Sequence, residues 1–355
     1  MKTTRARLVM AAVLCLTSAG AVICQQTQQT TVKVYRGSIG GSHIQMSLNV
    51  EGNKVSGTYF YDGIGEDLKL TGQFDEQGRL ELKEFGASGK QTGKFACKRK
   101  LDDPIDSDCS WSRPDGTREA YVTLEEQNIG FTNGLKIKPK VIANRKSGIS
   151  VSYPQITSGG KPLPAAESFN RRVLALVQKA IKEYEPGTEA GRNAFETNYN
   201  VLLANNDLIS VEMREYSDSG GAHPNTGFWS LTYDLSGNKE LELEDIFKPD
   251  SDYKTAIAKY VVADIDRRAV AIEQEDARRE GRKPNPRDEP IMTIDQLSEI
   301  SDWAMTPQGL MVYFDFPHAI AVFDRTFIPY GVVNDRLKPN GPAARFRNSG
   351  LQKGL

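Results

Sequence analysis

Tyr216–Phe247 reads YSDSGGAHPNTGFWSLTYDLSGNKELELEDIF, and its alternation of chain breakers and β-formers decides the fold of the second half of the chain. Gly220-Gly221 admits backbone conformations closed to other residues, and Pro224-Asn225 sets a turn. Phe228 to Leu235 is aromatic and β-branched, which predicts a strand. Ser236-Gly237-Asn238 then reverses the chain. Lys239 to Leu243 is expected to return as a second strand, and Glu244-Asp245-Ile246-Phe247 to close the unit before Pro249.

Outward from this hairpin, Gly148–Ile156 reads as a short alternating strand ending at a proline, followed by a helix from about Ala166. Phe169, Val173, Leu176, Val177, Ala180, Ile181 and Tyr184 share one face of it. Downstream, a helix from about Asp252 into the 270s carries Tyr253, Ile257, Tyr260, Val261 and Ile265 on its apolar face. A strand at Gly309–Phe316 and a corner at Ile328–Gly331 complete the pattern. Over roughly residues 145 to 338 this layout resembles the extracellular domain of the RsiV/PdaC-like family, with the module that precedes it. Lysozyme-sensing anti-sigma factors and a wall deacetylase share that domain. The resemblance implies recognition of a lysozyme-like protein or of peptidoglycan, and no reaction.

Residues 31–126 form a separate all-β unit. Ile44, Met46, Leu48 and Val50 alternate, as do Val55, Gly57, Tyr59 and Tyr61, then Leu68, Leu70, Gly72 and Phe74. Turns fall about every ten residues, so a meander, curled or closed, is expected, and its strand glycines point to curvature or close packing. This unit resembles a small exported β module of uncharacterised bacterial proteins. The whole is an α+β chain: an N-terminal antiparallel β domain (31–126), a linker (127–141), an antiparallel sheet covered by two main helices (142–338), and a loose Pro-, Gly- and Asn-rich tail (339–355).

Residues 1–24 read as a secretory signal: Lys2, Arg5 and Arg7, an apolar run from Leu8 to Leu16, then Ser18-Ala19-Gly20-Ala21. The expected location is therefore periplasmic or secreted, with membrane attachment only if the signal is retained or Cys24 lipidated. With Met1–Arg7 alone ahead of the apolar run, no sigma-factor partner is expected. Removing Lys2, Arg5 and Arg7 leaves 42 basic residues against 46 acidic ones, a charge of −4, which argues against nucleic acid. Cys15 and Cys24 lie in the leader, so Cys97 and Cys109 are expected to pair as a disulfide.

Catalytic patterns are sparse. Ser217–Gly221 resembles the segment around a trypsin-like nucleophile but carries Ser217 where that family places a glycine. His223 offers either a general base, with Asp218 or Glu215, or a cap for its own loop. His318 reads as a turn or edge position and His43 as an exposed one. Isolated histidines cannot supply a paired metal motif, so no catalytic residue, metal or cofactor is assigned. Asp62, Glu66 and Asp67 read as solvated turn residues. Two functions follow: a binding protein using Gly220, Gly221, His223, Pro224, Asn225, Phe228, Trp229 and Tyr330, or a cell-envelope hydrolase built on His223.

Overall fold

The computed structural model describes residues 31–100, 108–161, 163–187, 193–221, 223–287, 289–297, 300 and 302–346. Residues 1–30, which include the segment read as a leader, and residues 347–355 at the end of the tail lie outside them. No helix among the described residues is long and apolar enough to cross a membrane.

Eight strands close in sequence order into an antiparallel barrel: β1 Thr31–Ile39, β2 Ser42–Glu51, β3 Lys54–Tyr61, β4 Leu68–Phe74, β5 Arg79–Phe85, β6 Gln91–Lys100, β7 Cys109–Ser112 and β8 Ala120–Gln127, with β8 returning to pair with β1. Alternation places Ile44, Met46, Leu48, Tyr59, Leu82 and Phe95 inside, and closure leaves no free edge. Gly57 and Gly72 let strands approach closely: a Cβ at either would overlap a neighbouring strand's carbonyl, that of Ser47 or Glu81. Cys97 and Cys109 are cross-strand partners joined by a disulfide. Inside, the buried Glu84 carboxylate accepts from Tyr59 Oη (2.7 Å), Trp111 Nε1 (2.6 Å) and Thr92 Oγ1 (2.5 Å).

The second half holds two sheets, each with its own helix. β9 Leu135–Asn144, β10 Ile149–Ser158, β11 Asn193–Ala204, β12 Leu208–Ser219, β13 Asn225–Asp234 and β14 Lys239–Glu240 form a six-stranded sheet in the order β14-β13-β12-β11-β10-β9. Helix α1 (Pro164–Glu183) lays Phe169, Val173 and Val177 on it. Helix α2 is a single turn (Leu243–Ile246), and α3 (Tyr253–Glu280) packs Ile257, Val261 and Ile265 against β15 Asp302–Met305, β16 Gly309–Tyr313 and β17 Arg325–Pro329. The expectation of one antiparallel sheet under two helices is corrected in two respects. There are two sheets, and the larger is mixed, because α1 is a crossover that sets β11 beside β10 in the same direction.

Two further corrections concern connections. Leu135–Asn144, partly assigned to the linker, is an edge strand whose exposed Lys136, Lys138 and Lys140 alternate with buried Leu135 and Ile137. The stretch before it is pinned, with the Asn128 and Gly130 amides donating to Val201 (3.0 Å) and Ala204 (2.8 Å) carbonyls. The returning strand after Asn238 is only Lys239–Glu240, since Glu242 and Asp245 form a capping box that starts α2.

The barrel is fastened to the sheet by a buried cation. Arg36, 1 % exposed, donates to both Asp62 oxygens (2.8 and 2.7 Å) and to Asn198 Oδ1 (2.6 Å), and lies 4.2 Å from the centre of the Tyr199 ring. Ser152 Oγ also donates to Asp62 (2.6 Å). β10 and β11 pair only through Ile149–Val151 and Phe195–Thr197, and the guanidinium contacts Ser152 and Asn198 just past that ladder. Asp62 is thus a buried ion-pair member rather than a solvated turn residue. His43 is not an exposed position either: its Nδ1 is buried, and burial together with the nearby Arg36 charge holds its pKa below the ordinary imidazole value.

Candidate functional site

Period-two alternation sends Val211 and Met213 of β12 and Leu231 and Tyr233 of β13 beneath α1. Toward the other end of the strands the same face turns polar, with Glu215, Ser217 and Ser219 from β12 and Asn225 and Trp229 from β13. The helix supplies the facing wall at helical spacing: Arg172, Leu176, Lys179, Ala180 and Glu183, followed by Tyr184. Between them lies an open groove of about 730 Å³, whose lining reaches Ser230, Glu240 and Asp302.

Its charged groups are held in place. Arg172 clamps Glu240 with two bonds, Nε at 2.5 Å and a terminal nitrogen at 3.0 Å, tying α1 to β14. Asp302 accepts from the Ser230 amide (2.7 Å), the Ser230 hydroxyl (2.5 Å) and its own neighbour's amide at Trp303 (2.7 Å). Burial still pushes its pKa above the ordinary carboxylate value, because desolvation outweighs those bonds. Glu215 is raised as well, by burial and then by the Glu183 charge across the groove. Tyr184 donates to the Asp218 carbonyl (3.1 Å) and packs against Phe195. The Trp229 indole N–H is buried and has no partner among the described residues.

A second cavity of about 470 Å³ adjoins the groove, sharing Ser230, Glu240 and Asp302 with it. Its walls are Leu241, Leu243, Ile257, Ala258, Leu297 and Trp303.

Of the residues singled out in the sequence, the structure brings Asn225 and Trp229 into the groove. Gly220 adopts φ +78° at the loop, where its amide donates to Asp218 Oδ1 (2.8 Å). Gly221 and Pro224 are exposed on that loop, and His223, also exposed, stacks on His318 with ring centres 5.0 Å apart. Phe228 points to the opposite face, stacked on Tyr313 (5.4 Å) beneath the Arg325 guanidinium. Tyr330 is fully buried, its hydroxyl donating to the Thr306 carbonyl (3.0 Å), so it offers no contact surface.

Several organising residues escaped the sequence reading. Arg172, Lys179 and Glu183 form a second helical stripe beside the apolar one, a legible signal. Asp302 has none, lying 72 positions from Ser230. Nor does Glu212, 1 % exposed, which accepts from Arg214 Nε (2.7 Å), Asn200 Nδ2 (3.2 Å) and Tyr313 Oη (2.7 Å). Burial alone would raise its pKa, but the Arg214 charge, the Tyr313 hydroxyl and Arg325 outweigh it and hold it below the ordinary value. Among the described residues no group of three or more His, Cys, Asp or Glu is placed to hold a metal ion.

A PdaC-type module and a DUF3298 segment are present: residues 143–226 match the family model described as Deacetylase PdaC, and residues 244–318 match that of a protein of unknown function, DUF3298. The groove draws on both, α1 and β12 falling in the first and Asp302 in the second. Peptidoglycan-N-acetylmuramic acid deacetylase PdaC of Bacillus subtilis (strain 168) is 29% identical over 104 residues. That match covers 29% of this chain and only 22% of the relative's length. A DUF3298 family protein of Pseudomonas aeruginosa PAO1 is 17% identical, with 58% of this chain and 95% of that one covered at a TM-score of 0.38. One from Bacteroides fragilis is 15% identical, with 61% and 99% covered at a TM-score of 0.36.

Proposed function

We propose that this chain is an exported, non-catalytic binding protein of the bacterial cell envelope that holds wall glycan in the groove beside α1. One observation carries the reading: an open groove whose lining combines the Trp229 and Tyr184 rings with hydroxyl, amide and carboxylate groups at Ser217, Ser219, Asn225, Glu215 and Asp302. Sugars present apolar C–H faces and closely spaced hydroxyls, and that mixture of ring surface and polar groups suits both. The secretory leader and the similarity to a protein named as a peptidoglycan deacetylase support the same compartment and polymer class.

The hydrolase alternative gains no support from His223, which stacks on His318 while Asp218 is bonded to the Gly220 amide. Calorimetric titration with peptide-free glycan oligomers, in parallel with a c-type lysozyme, tests the proposal. Saturable glycan binding without product, lost in Trp229→Ala with the fold intact, is the expected result. Release of acetate or cleaved glycan would replace binding with catalysis. Binding of lysozyme alone would move recognition to a protein partner.

A further inference from the structure

The second cavity differs from the groove in chemistry. Its walls are mainly aliphatic, with the Trp303 ring and the Ser230 and Thr232 hydroxyls among them, and four acidic residues also line it: Glu240, Glu242, Glu244 and Asp302. Two cations answer them, Arg172 on Glu240 and Lys254 at 3.4 Å from Glu244. Four carboxylates against two cations leave a negative rim around an apolar well, and the Glu240 charge is one of the influences that raise the Asp302 pKa. An alkyl chain that ends in an ammonium matches both halves: its methylenes fill the well while the charged end stays at the rim.

The two cavities share Ser230, Glu240 and Asp302, so they lie side by side, as one ligand with two unlike parts would require. Resting on the glycan reading of the groove, we infer that the second cavity takes the amine-bearing aliphatic side chain of a peptide branch attached to that glycan. The site would then recognise the junction of sugar and peptide, with polysaccharide beside α1 and the diamino residue between α2 and α3.

The geometry makes the inference separable from the reading beneath it. Ala258 on α3 lines only the second cavity, so Ala258→Phe fills it without touching the groove. Should that variant fail to fold, Glu242→Gln with Glu244→Gln weakens the rim at two exposed positions instead. Titration of the exported chain would use three probes: peptide-free glycan, a muropeptide with a free side-chain amine, and the same muropeptide with that amine acetylated. The free amine is expected to bind at least about tenfold tighter than the acetylated form, a difference of about 1.4 kcal/mol. Either variant should shrink that ratio severalfold and leave the affinity for peptide-free glycan unchanged. Equal affinity for free and acetylated amines, or a ratio unmoved in a folded variant, overturns the inference while leaving glycan binding in place. Discrimination between the two muropeptides without any binding of peptide-free glycan supports the amine pocket and defeats the glycan reading instead.

Discussion

Replacing Arg36 by Met removes the positive charge from the junction between barrel and sheet and keeps most of the side chain's bulk. The loss can be worked from the contacts. Arg36 and Asp62 have side chains 1% and 5% exposed, and the guanidinium supplies two of the three bonds to the carboxylate. Without it, Asp62 retains the Ser152 hydroxyl at 2.6 Å, and Asn198 loses its donor at 2.6 Å. Breaking a buried pair by deleting one partner costs about 3–5 kcal/mol, because the remaining charge is stranded. At a urea m-value of about 3 kcal/mol/M, the midpoint should fall by about 1–1.7 M. Trp111 reports on the barrel and Trp229 and Trp303 on the second half, so fluorescence of single-tryptophan versions shows which part responds. The double variant Arg36→Met with Asp62→Leu should regain most of the loss, since an apolar pair of similar volume replaces a buried ion pair at little net cost. A single-variant loss below about 1 kcal/mol, or a double variant no better than the single, would refute the latch.

Gly57→Ala places a methyl group against the Ser47 carbonyl and should destabilise the barrel by about 3 kcal/mol, visible as an early Trp111 transition; an unchanged midpoint would mean that β2 and β3 separate more easily than their packing indicates. Glu215 titrates above the ordinary carboxylate value in the folded state, so the folded protein keeps its proton longer than the unfolded chain does. Stability should therefore decline as pH rises from the ordinary value through the folded one. Glu215→Gln should flatten that limb in a pH series of denaturation midpoints, and identical slopes would remove the carboxylate from the account. Glu212 has the opposite sign: its contribution is present above the ordinary pKa and lost as pH falls through the lowered folded value. In Glu212→Gln the acid-side decline should lessen while stability at neutral pH falls by about 1–3 kcal/mol, and a neutral-pH loss near zero would contradict the network.

What could be read from sequence was the part governed by local periodicity. Phe169, Val173 and Val177 are buried, as are Ile257, Val261 and Ile265, because a helical stripe needs only an apolar partner to bury itself. The alternation of Ile44, Met46 and Leu48 likewise sets an inward face, but closure depends on β8 finding β1, which no local pattern encodes. Tyr330 resembled a surface anchor after Pro329; it is buried in the apolar cluster under α3, with its hydroxyl on the Thr306 carbonyl 24 positions away. The groove was half legible. Asn225 and Trp229 follow from the hairpin, whereas Asp302 and Arg172 reach it only through the packing of β15 and α1.

The polar contacts that sequence could not supply share a location. Asn198 of β11 bonds Arg36 of the barrel, Asn200 two residues on bonds both Gln127 of β8 and Glu212 of β12, and Glu212 bonds Tyr313 of β16. A run of side chains thus links the barrel, the large sheet and the small sheet through β11 and β12. The same β12 continues into Glu215, Ser217 and Ser219, which line the groove. Apolar packing alone would tolerate small sliding between these bodies, but hydrogen bonds to buried charges are directional and fix the register. The position of the groove walls therefore depends on contacts well outside the groove. Where ligand geometry must be kept on a scaffold of three sheets, buried polar links of this kind supply the rigidity that a loop-borne site lacks.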